Sequence, residues 1–388
     1  MLGIAQTLAW ASSYYLPAVL AGGIGRDVGS SSATVFGAFS VALLVAAAVG
    51  PVAGRLIDRL GGRPVLVASN LVFAAGLVAL SQSHQTVHVF VAWAVMGLAM
   101  GSGLYEAAFA SVVRLHGQDA RRAITGITLF AGFASTVGWP LSAYLESAVG
   151  WRGACLTWAA LHLVIGLPLN ALLPSASRSE AYPAAAGALR EAGAGLSAAQ
   201  QRRAAYLMAF VFAATWFTST AMAAHLPALL QAAGASLAAA VGIAALVGPA
   251  QVGGRLIEFA FLKHAHPLLA ARLATLAHPL GVLLLAIFGT SAAAVFAVLH
   301  SLGNGILTIA IGTLPLLIFG AEGYGQRQGM LMVPARIVQA GAPFLFGVAV
   351  ERWGTDALWI SALLGVASSA ALVAMSGAGR WWARGNRG

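Results

Sequence analysis

Residues 54–63 read Gly-Arg-Leu-Ile-Asp-Arg-Leu-Gly-Gly-Arg and separate two apolar runs at 33–53 and 64–82. The glycines of this stretch allow a tight reversal of the chain and a close approach of neighbouring helices. The Asp58 carboxylate can accept hydrogen bonds from the free N–H groups of a facing helix N-terminus and complement its dipole. The stretch is therefore predicted to be a tight loop that brings Asp58 to another helix.

The chain around this loop is mostly apolar. It has 388 residues, of which 60% are hydrophobic and 8% are charged, whereas about 25% are charged in an ordinary soluble domain. The mean hydropathy is +0.85. This composition excludes a soluble enzyme, a nucleic-acid-binding protein and a disordered chain. The single cysteine, Cys155, excludes a disulfide framework and a cysteine-based metal site.

Twelve apolar runs are long enough for a membrane-spanning helix, which needs about 20 residues. They lack the apolar–polar alternation of outer-membrane strands. The first run is interpreted as a mature helix rather than a cleaved signal. The predicted spans are 3–24, 33–53, 64–82, 87–113, 122–145, 151–173, 204–230, 236–257, 267–288, 291–318, 328–350 and 355–376.

This pattern predicts an all-α membrane protein with two six-helix bundles. The N-terminal bundle is residues 1–173, a cytoplasmic linker follows at 174–203, and the C-terminal bundle with a short basic tail is 204–388. With a cytoplasmic N-terminus, seventeen of the 21 Lys and Arg residues fall in inner segments. Three lie in outer loops, and Arg336 lies within a span. The positive-inside rule therefore predicts that both termini are cytoplasmic.

The two halves share short matched segments, which indicates an internal repeat. Tyr15-Leu-Pro-Ala-Val-Leu in span one resembles His225-Leu-Pro-Ala-Leu-Leu in span seven. The Gly54-Arg-Leu-Ile-Asp segment after span two resembles the Gly254-Arg-Leu-Ile-Glu segment after span eight. Parallel six-helix halves of this kind are typical of major facilitator transporters.

The loop at 54–63 resembles the signature loop of the major facilitator superfamily. Gly54, Leu56, Asp58, Arg59, Gly61 and Arg63 match the signature, whereas Gly62 stands where a basic residue is usual. The resemblance implies alternating access, with the eleventh helix facing the loop near residues 325–329. It also implies that Asp58 latches the cytoplasmic side shut in the outward-facing state. The alternative is that the arginines of the loop only fix the topology.

Shorter stretches resemble the monocarboxylate-transporter-like branch of bacterial organic-anion carriers. They are residues 103–109, 225–227 and 248–255. The drug/proton antiporter branch usually carries Gly-Pro-x-x-Gly-Gly in helix five. Here that helix keeps Pro140 without the glycine pattern, which weakens the efflux interpretation without removing it.

Two charged side chains lie away from the span ends, Glu106 in span four and Arg336 in span eleven. At 1.5 Å per residue, each is about 12–13 Å from the cytoplasmic end of its span. Arg336 is suited to bind an anion through a bidentate carboxylate contact. Glu106 is the candidate proton-coupling group, in competition with the substrate for Arg336. The alternative is a structural ion pair, or two residues satisfied separately.

Further substrate candidates come from spans one, four, seven and ten, which the resemblance implies line the pathway. Aromatic rings there can stack on a substrate while hydrogen-bonding its polar end, although such rings are often packing residues. Pro17 and Pro227, at matched positions, are candidate hinges. The candidates are Tyr14, Tyr15, Tyr105, Trp216, His225, His300 and Asn304.

The sequence thus predicts a monomeric secondary transporter in the plasma (inner) membrane that moves a small organic anion, such as a monocarboxylate, together with protons. The alternative is proton-coupled efflux of a drug or toxic compound. An intramembrane enzyme is disfavoured, because no His-Glu-x-x-His motif or placeable Ser/His/Asp set is found. The sequence has no phosphate-binding loop of the Gly-x-x-x-x-Gly-Lys-Ser/Thr type, so it does not indicate ATP hydrolysis. The predicted partners are the solute, protons and lipid, with no cofactor, metal or nucleic acid.

Overall fold

A computed structural model describes residues 1–174, 197–262 and 266–377, and their regular secondary structure is entirely helical. Most of the predicted linker (175–196), Lys263 and the basic tail from 378 onward lie outside the described residues. The all-α prediction is confirmed for the described part of the chain.

The first nine α-helices precede the linker. A 3₁₀ turn at Gly117–Ala120 and a π-helical turn at His162–Gly166 connect parts of this series. The helices are α1 Leu2–Ser12, α2 Pro17–Asp27, α3 Ser32–Leu60, α4 Gly62–Ser81, α5 Thr86–Gly103, α6 Tyr105–His116, α7 Arg121–Ala131, α8 Ala134–Leu161 and α9 Leu167–Ala171.

In the described residues that follow the linker, seven further α-helices are found. A π-helical turn at Glu258–Leu262 and 3₁₀ turns at Gly289–Ala292 and Gly354–Ala357 connect some of them. The helices are α10 Ala198–Ala232, α11 Leu237–Ala244, α12 Val247–Ile257, α13 Pro267–Phe288, α14 Ala293–Phe319, α15 Tyr324–Trp353 and α16 Leu358–Gly377.

Seven helical stretches of the described chain are long and apolar enough to cross a membrane. Three of them are 86, 53 and 52 residues long, whereas one crossing needs about 20 residues. Each of these three therefore contains more than one helix of crossing length. The count of twelve crossings remains a prediction.

The chain forms two compact units. Unit 1 comprises Met1–Pro183 and Ala321–Ala340, and unit 2 comprises Ala184–Gly320 and Gly341–Gly388. Helix α15 thus contributes its first half to unit 1 and its second half to unit 2. The predicted division at the linker remains a proposal.

Four spans predicted as continuous helices are interrupted. The run 122–145 breaks between Ala131 and Ala134, and the run 236–257 breaks between Ala244 and Val247. The run 3–24 breaks between Ser12 and Pro17, because proline lacks an N–H and is favoured as the first residue of a new helix. The run 87–113 breaks at Leu104, which is extended, directly after Gly-Ser-Gly at 101–103. Glycine is a poor helix former. The Gln6 amide donates to the Gly103 carbonyl at 2.7 Å and satisfies the broken end of α5.

Small residues bring the helices of unit 1 close together. A Cβ at Gly97 would lie 2.5 Å from the Ala42 carbonyl oxygen, and one at Gly101 would lie 2.8 Å from that of Ala46. The backbones of α5 and α3 therefore touch along two turns, as is typical of membrane helices with small interface residues. Trp93 on α5 is fully buried beside this contact, with its ring 5.3 Å from Phe39.

Candidate functional site

Asp58 binds the N-terminus of helix α15. A contact between this carboxylate and a helix N-terminus is what the sequence predicts. The Gly325 N–H donates to Asp58 Oδ1 at 2.9 Å, and the Gln326 N–H donates to Oδ2 at 2.8 Å. The first N–H groups of a helix have no partner within the helix, and the positive end of its dipole favours a carboxylate. Asp58 therefore caps α15 with both oxygens.

Glycines permit this contact. A Cβ at Gly54 would lie 2.0 Å from the Gly325 carbonyl oxygen, and one at Gly329 would lie 2.6 Å from that of Gly50. These are backbone atoms, so a side chain at either position would force α3 and α15 apart. The predicted importance of Gly54 for close helix approach is thus matched by its geometry.

The predicted loop is shorter than expected, because residues 54–60, with Asp58, continue helix α3 and only Gly61 separates α3 from α4. Gly61 ends α3 with a φ of +87°, a conformation that glycine adopts without strain. A Cβ at Gly62 would lie 1.9 Å from Ser111 Oγ, so this glycine brings α4 against α6. Arg59 and Arg63 are exposed.

Glu106 and Arg336 form an ion pair inside unit 1. Arg336 Nη2 donates to Glu106 Oε1 at 2.7 Å, and the two side chains are 5% and 12% exposed for Arg336 and Glu106 respectively. The sequence could place the two residues only at similar depth. Glu106 lies in the first turn of α6, directly after the break at Leu104. The helix N-terminus therefore stabilises the ionised carboxylate together with Arg336.

The guanidinium of Arg336 is held on further sides. Its Nη1 donates to Gln339 Oε1 at 2.9 Å, and Gln339 Nε2 donates to the Tyr14 hydroxyl at 3.1 Å. The Trp10 ring centre lies 5.9 Å from Arg336 Cζ, within cation–π range. Arg336 is thus fixed by a carboxylate, an amide and an aromatic face.

An aromatic cluster surrounds this ion pair. The Trp10 ring centre lies 4.7 Å from that of Tyr105, 5.2 Å from Tyr14 and 6.5 Å from Tyr15. The Tyr15 ring also contacts Trp139 at 5.6 Å. Three predicted tyrosines therefore lie together, among them the adjacent Tyr14 and Tyr15. The break between α1 and α2 places both tyrosines outside regular helix and allows this.

Two predicted residues of unit 2, His300 and Asn304, line one cavity within that unit. Asn304 Nδ2 donates to Ser219 Oγ at 3.1 Å. His300 Nδ1 lies 3.0 Å from His278 Nδ1, and both imidazoles are buried.

The remaining candidates lie apart from that cavity. His225 Nε2 is 2.8 Å from the Pro343 carbonyl oxygen, and Trp216 is half-buried outside the cavity lining. Pro227 lies inside the continuous helix α10, whereas Pro17 begins a new helix after a break. The two matched prolines thus have different local structures, and their hinge role remains a prediction.

Sequence reasoning missed three residues that complete these groups. Gln339 lies one turn after Arg336 on the same helix, so helical spacing could have indicated it. Trp10 meets Tyr14 through the break after Ser12, which was not predicted from the sequence. The partner of His300, His278, lies on another helix at a spacing that carries no signal. In the described part of the chain, no group of three His, Cys, Asp or Glu side chains could hold a metal ion.

Comparison with known proteins assigns the fold and the family. The model of the Major Facilitator Superfamily matches residues 2–343. Two crystal structures of the fucose:proton symporter FucP align with the chain. One, of the E. coli protein, has a TM-score of 0.72 at 15% identity and covers 97% of this chain and 98% of that one. The other, in the outward conformation, has a TM-score of 0.74 at 14% identity with the same coverage.

Relatives by sequence match over shorter stretches. Multidrug resistance protein MdtL of Klebsiella pneumoniae (strain 342) is 30% identical over 165 residues, which is 41% of each chain. Human monocarboxylate transporter 2 is 28% identical over 147 residues, which is 36% of this chain and 30% of that protein. The matches thus span less than half the length of either relative.

The family match covers most of the chain, the solved structures share its fold from end to end, and its described helices suit a multi-pass membrane protein. The predicted family is confirmed: the chain belongs to the major facilitator superfamily and is a membrane transporter, not an enzyme.

Proposed function

We propose that the chain moves a small organic anion together with protons across the plasma membrane by alternating access. The observation that carries this proposal is the buried contact between Glu106 and Arg336 at 2.7 Å. A charge in the hydrocarbon region costs at least about 2.5–3.5 kcal/mol on insertion scales. An anionic partner for Arg336 is therefore energetically favoured at every stage of the transport cycle.

Protonation of Glu106 and binding of an anion then become coupled. A proton on Glu106 removes the negative charge that faces Arg336, and a substrate carboxylate can take its place. Guanidinium binds carboxylate with two parallel hydrogen bonds, which gives specificity for planar anions. Gln339 and Tyr14 lie beside the guanidinium and can hold the substrate's other polar groups.

The contact of Asp58 with α15 is proposed to act as the cytoplasmic gate, as the family resemblance implies. Opening the gate would separate Asp58 from the Gly325 and Gln326 N–H groups. Gly54 makes this interface close, while Gly61 sets the turn and the exposed Arg59 and Arg63 keep the loop at the cytoplasmic surface. The protein is proposed to act as a monomer with both termini in the cytoplasm.

The partial relatives support either of two solutes. One is named a monocarboxylate transporter and the other a multidrug resistance protein. The aromatic cluster beside Glu106 favours the second candidate function, efflux of a cationic compound, because aromatic faces attract cations. We prefer the anion because the Glu106 carboxylate is already paired with Arg336, which competes with a cationic solute for it.

The test is internal pH in proteoliposomes with a trapped dye. Acetate, lactate or pyruvate is added outside, and empty liposomes measure the leak. Anion-dependent acidification that is lost in Arg336→Ala but kept in Arg152→Ala supports the proposal. Arg152 is a matched control because it also pairs with a carboxylate, Asp27, but at a partly exposed position. A response to lipophilic cations and to none of these anions would instead establish the efflux function.

A further inference from the structure

A cavity in unit 2, distinct from the ion pair of unit 1, has eight polar side chains among its twelve lining residues. The volume that the centre of a water molecule can occupy in this cavity is about 40 Å³. One water needs about 10–15 Å³ of such volume. There is therefore room for two or three waters. Its polar lining residues are Thr215, Thr218, Thr275, His278, His300, Asn304, Ser361 and Ser368.

Most hydroxyl groups of this cavity donate to their own helices. Thr215 donates to the Val211 carbonyl and Thr275 to the Arg272 carbonyl, both at 2.8 Å. Ser368 likewise donates to the Leu364 carbonyl at 2.7 Å. A hydroxyl has one proton and two lone pairs, so these groups present only acceptors to the cavity. The cavity therefore favours a positively charged or proton-donating occupant.

The hydrogen bonds of the two histidines fix their tautomers. Ser361 Oγ donates to the Leu358 carbonyl at 2.8 Å, so it accepts from His278 Nε2, also at 2.8 Å. A neutral His278 protonated on Nε2 has a lone pair on Nδ1. That lone pair lies 3.0 Å from His300 Nδ1, which must donate to it. Neutral His300 is then unprotonated on Nε2.

We propose that the His278–His300 pair is a second proton-binding site of the protein, with His300 Nε2 as the atom that takes the proton. The new N–H bond forms at Nε2 with a proton from a hydronium ion of the solution, relayed through a cavity water that gives up one proton and receives another and so stays neutral, and the hydrogen bond from His300 Nδ1 to His278 is kept. No other hydrogen bond of the pair has to break. His278 is a positioning residue, because it holds His300 in the tautomer that leaves Nε2 open.

Among the described residues, no Asp, Glu, Lys or Arg side chain lines the cavity, so the two histidines are its titratable groups. The α16 helix carries no charged residue, and Ser361 is its contact with the pair. Of the titratable side chains on the helices that pack against α14, only His278 lines the cavity. These side chains are His278 and Arg272 on α13, Arg255 on α12, and Arg202, Arg203, Tyr206 and His225 on α10.

The role of this site in transport rests on the proposed function, whereas proton binding itself does not. In transport, the site would add a pH dependence that survives removal of the Glu106 carboxylate. His300→Gln should therefore change the pH profile of lactate uptake in a Glu106→Gln background, if that background still exchanges lactate.

The direct test is nitrogen NMR of the full chain with ¹⁵N-labelled histidine in lipid, without any substrate. The wild type should show one ring protonated on Nδ1, correlated through its hydrogen bond with a ring protonated on Nε2. Between about pH 9 and about pH 3, both signals should shift together in one step, because a single proton binds to two rings that share a hydrogen bond. His300→Gln should abolish the step, and His225→Gln should keep it.

Two results would overturn the proposal. One is a wild-type spectrum in which every histidine ring is protonated on Nε2 at high pH. The other is a correlated pair that does not change over the whole titration. Both are read from the wild type, so they count even if a variant does not fold. Neither depends on which solute is carried, so failure of the anion proposal would leave this test intact.

Discussion

The two units each bury a polar network, and the networks differ in charge. In unit 1, an acidic and a basic side chain, Glu106 and Arg336, lie 2.7 Å apart. In unit 2, His278 and His300 are held at 3.0 Å by hydrogen bonds that a neutral pair can make. Removing one partner of a buried ion pair leaves an uncompensated charge, whereas a neutral pair loses only a hydrogen bond. The difference predicts which network is sensitive to single substitutions.

The largest effect is expected for Arg336→Met. It leaves Glu106 buried without its cation, which costs about 3–5 kcal/mol when a buried pair is broken. Thermal unfolding in detergent measures the loss. The double variant Glu106→Gln with Arg336→Met should recover much of it, because no charge remains. Arg152→Met should cost far less, since the Arg152–Asp27 pair is 35% and 47% exposed. A single variant as stable as the double would contradict the ion-pair account.

A smaller effect is expected for Asp58→Asn. Asparagine has one acceptor oxygen, so either the Gly325 or the Gln326 N–H loses its partner. Loss of a helix cap costs about 0.5–2 kcal/mol. Hydrogen exchange should become faster at these two amides. Arg59→Gln, a change at an exposed residue of the same loop, should leave them protected. Equal protection in Asp58→Asn would show that Asp58 does not hold α15.

In unit 2, Ser361→Ala removes the acceptor of His278 Nε2. One net hydrogen bond contributes about 0.5–1.5 kcal/mol, so the expected loss of stability is below that of Arg336→Met. The matched control is Ser368→Ala, which lines the same cavity without contacting a histidine. Thermal unfolding of both variants should separate them, and an equal loss would mean that the serine does not support the pair.

The smallest effect concerns the exposed ion pair. The pKa of Asp27 is lowered by the Trp151 N–H, which donates at 2.8 Å, and by its bond to Arg152. A carboxyl with a lowered folded pKa stabilises the fold above its unfolded value of about 3.9 and loses this contribution as pH falls. Asp27→Asn should therefore lower the melting temperature slightly at pH 6 and by less at about pH 3. A deficit as large in acid as at pH 6 would rule out the carboxylate charge as its cause.

Much of the fold follows from the sequence because hydropathy and loop chemistry act locally. The chemistry of residues 54–63 predicted that Asp58 would meet a helix N-terminus, and the family resemblance implied that this helix is the one that begins near residue 325. The breaks at Leu104 and before Pro17 were missed. A run of apolar residues meets the requirements of a membrane span whether or not its helix is continuous.

The site was less predictable because its contacts join distant residues. The similar depths of Glu106 and Arg336 in their spans suggested that the two could meet. The distance between them, however, depends on how the helices pack in the folded protein. Gln339 was overlooked because it has no charge, although it lies one turn from Arg336. His278 pairs with His300 across two helices, and nothing in the sequence marks which histidines become neighbours.

The most direct test of the central claim is proton uptake by the purified protein on substrate binding. A pH dye in a weakly buffered solution reports the change when lactate or pyruvate is added. If the anion displaces Glu106 from Arg336, the wild type should take up protons as it binds. Glu106→Gln should bind the anion without uptake. Binding without proton uptake in the wild type, or uptake that persists in Glu106→Gln, would contradict the account.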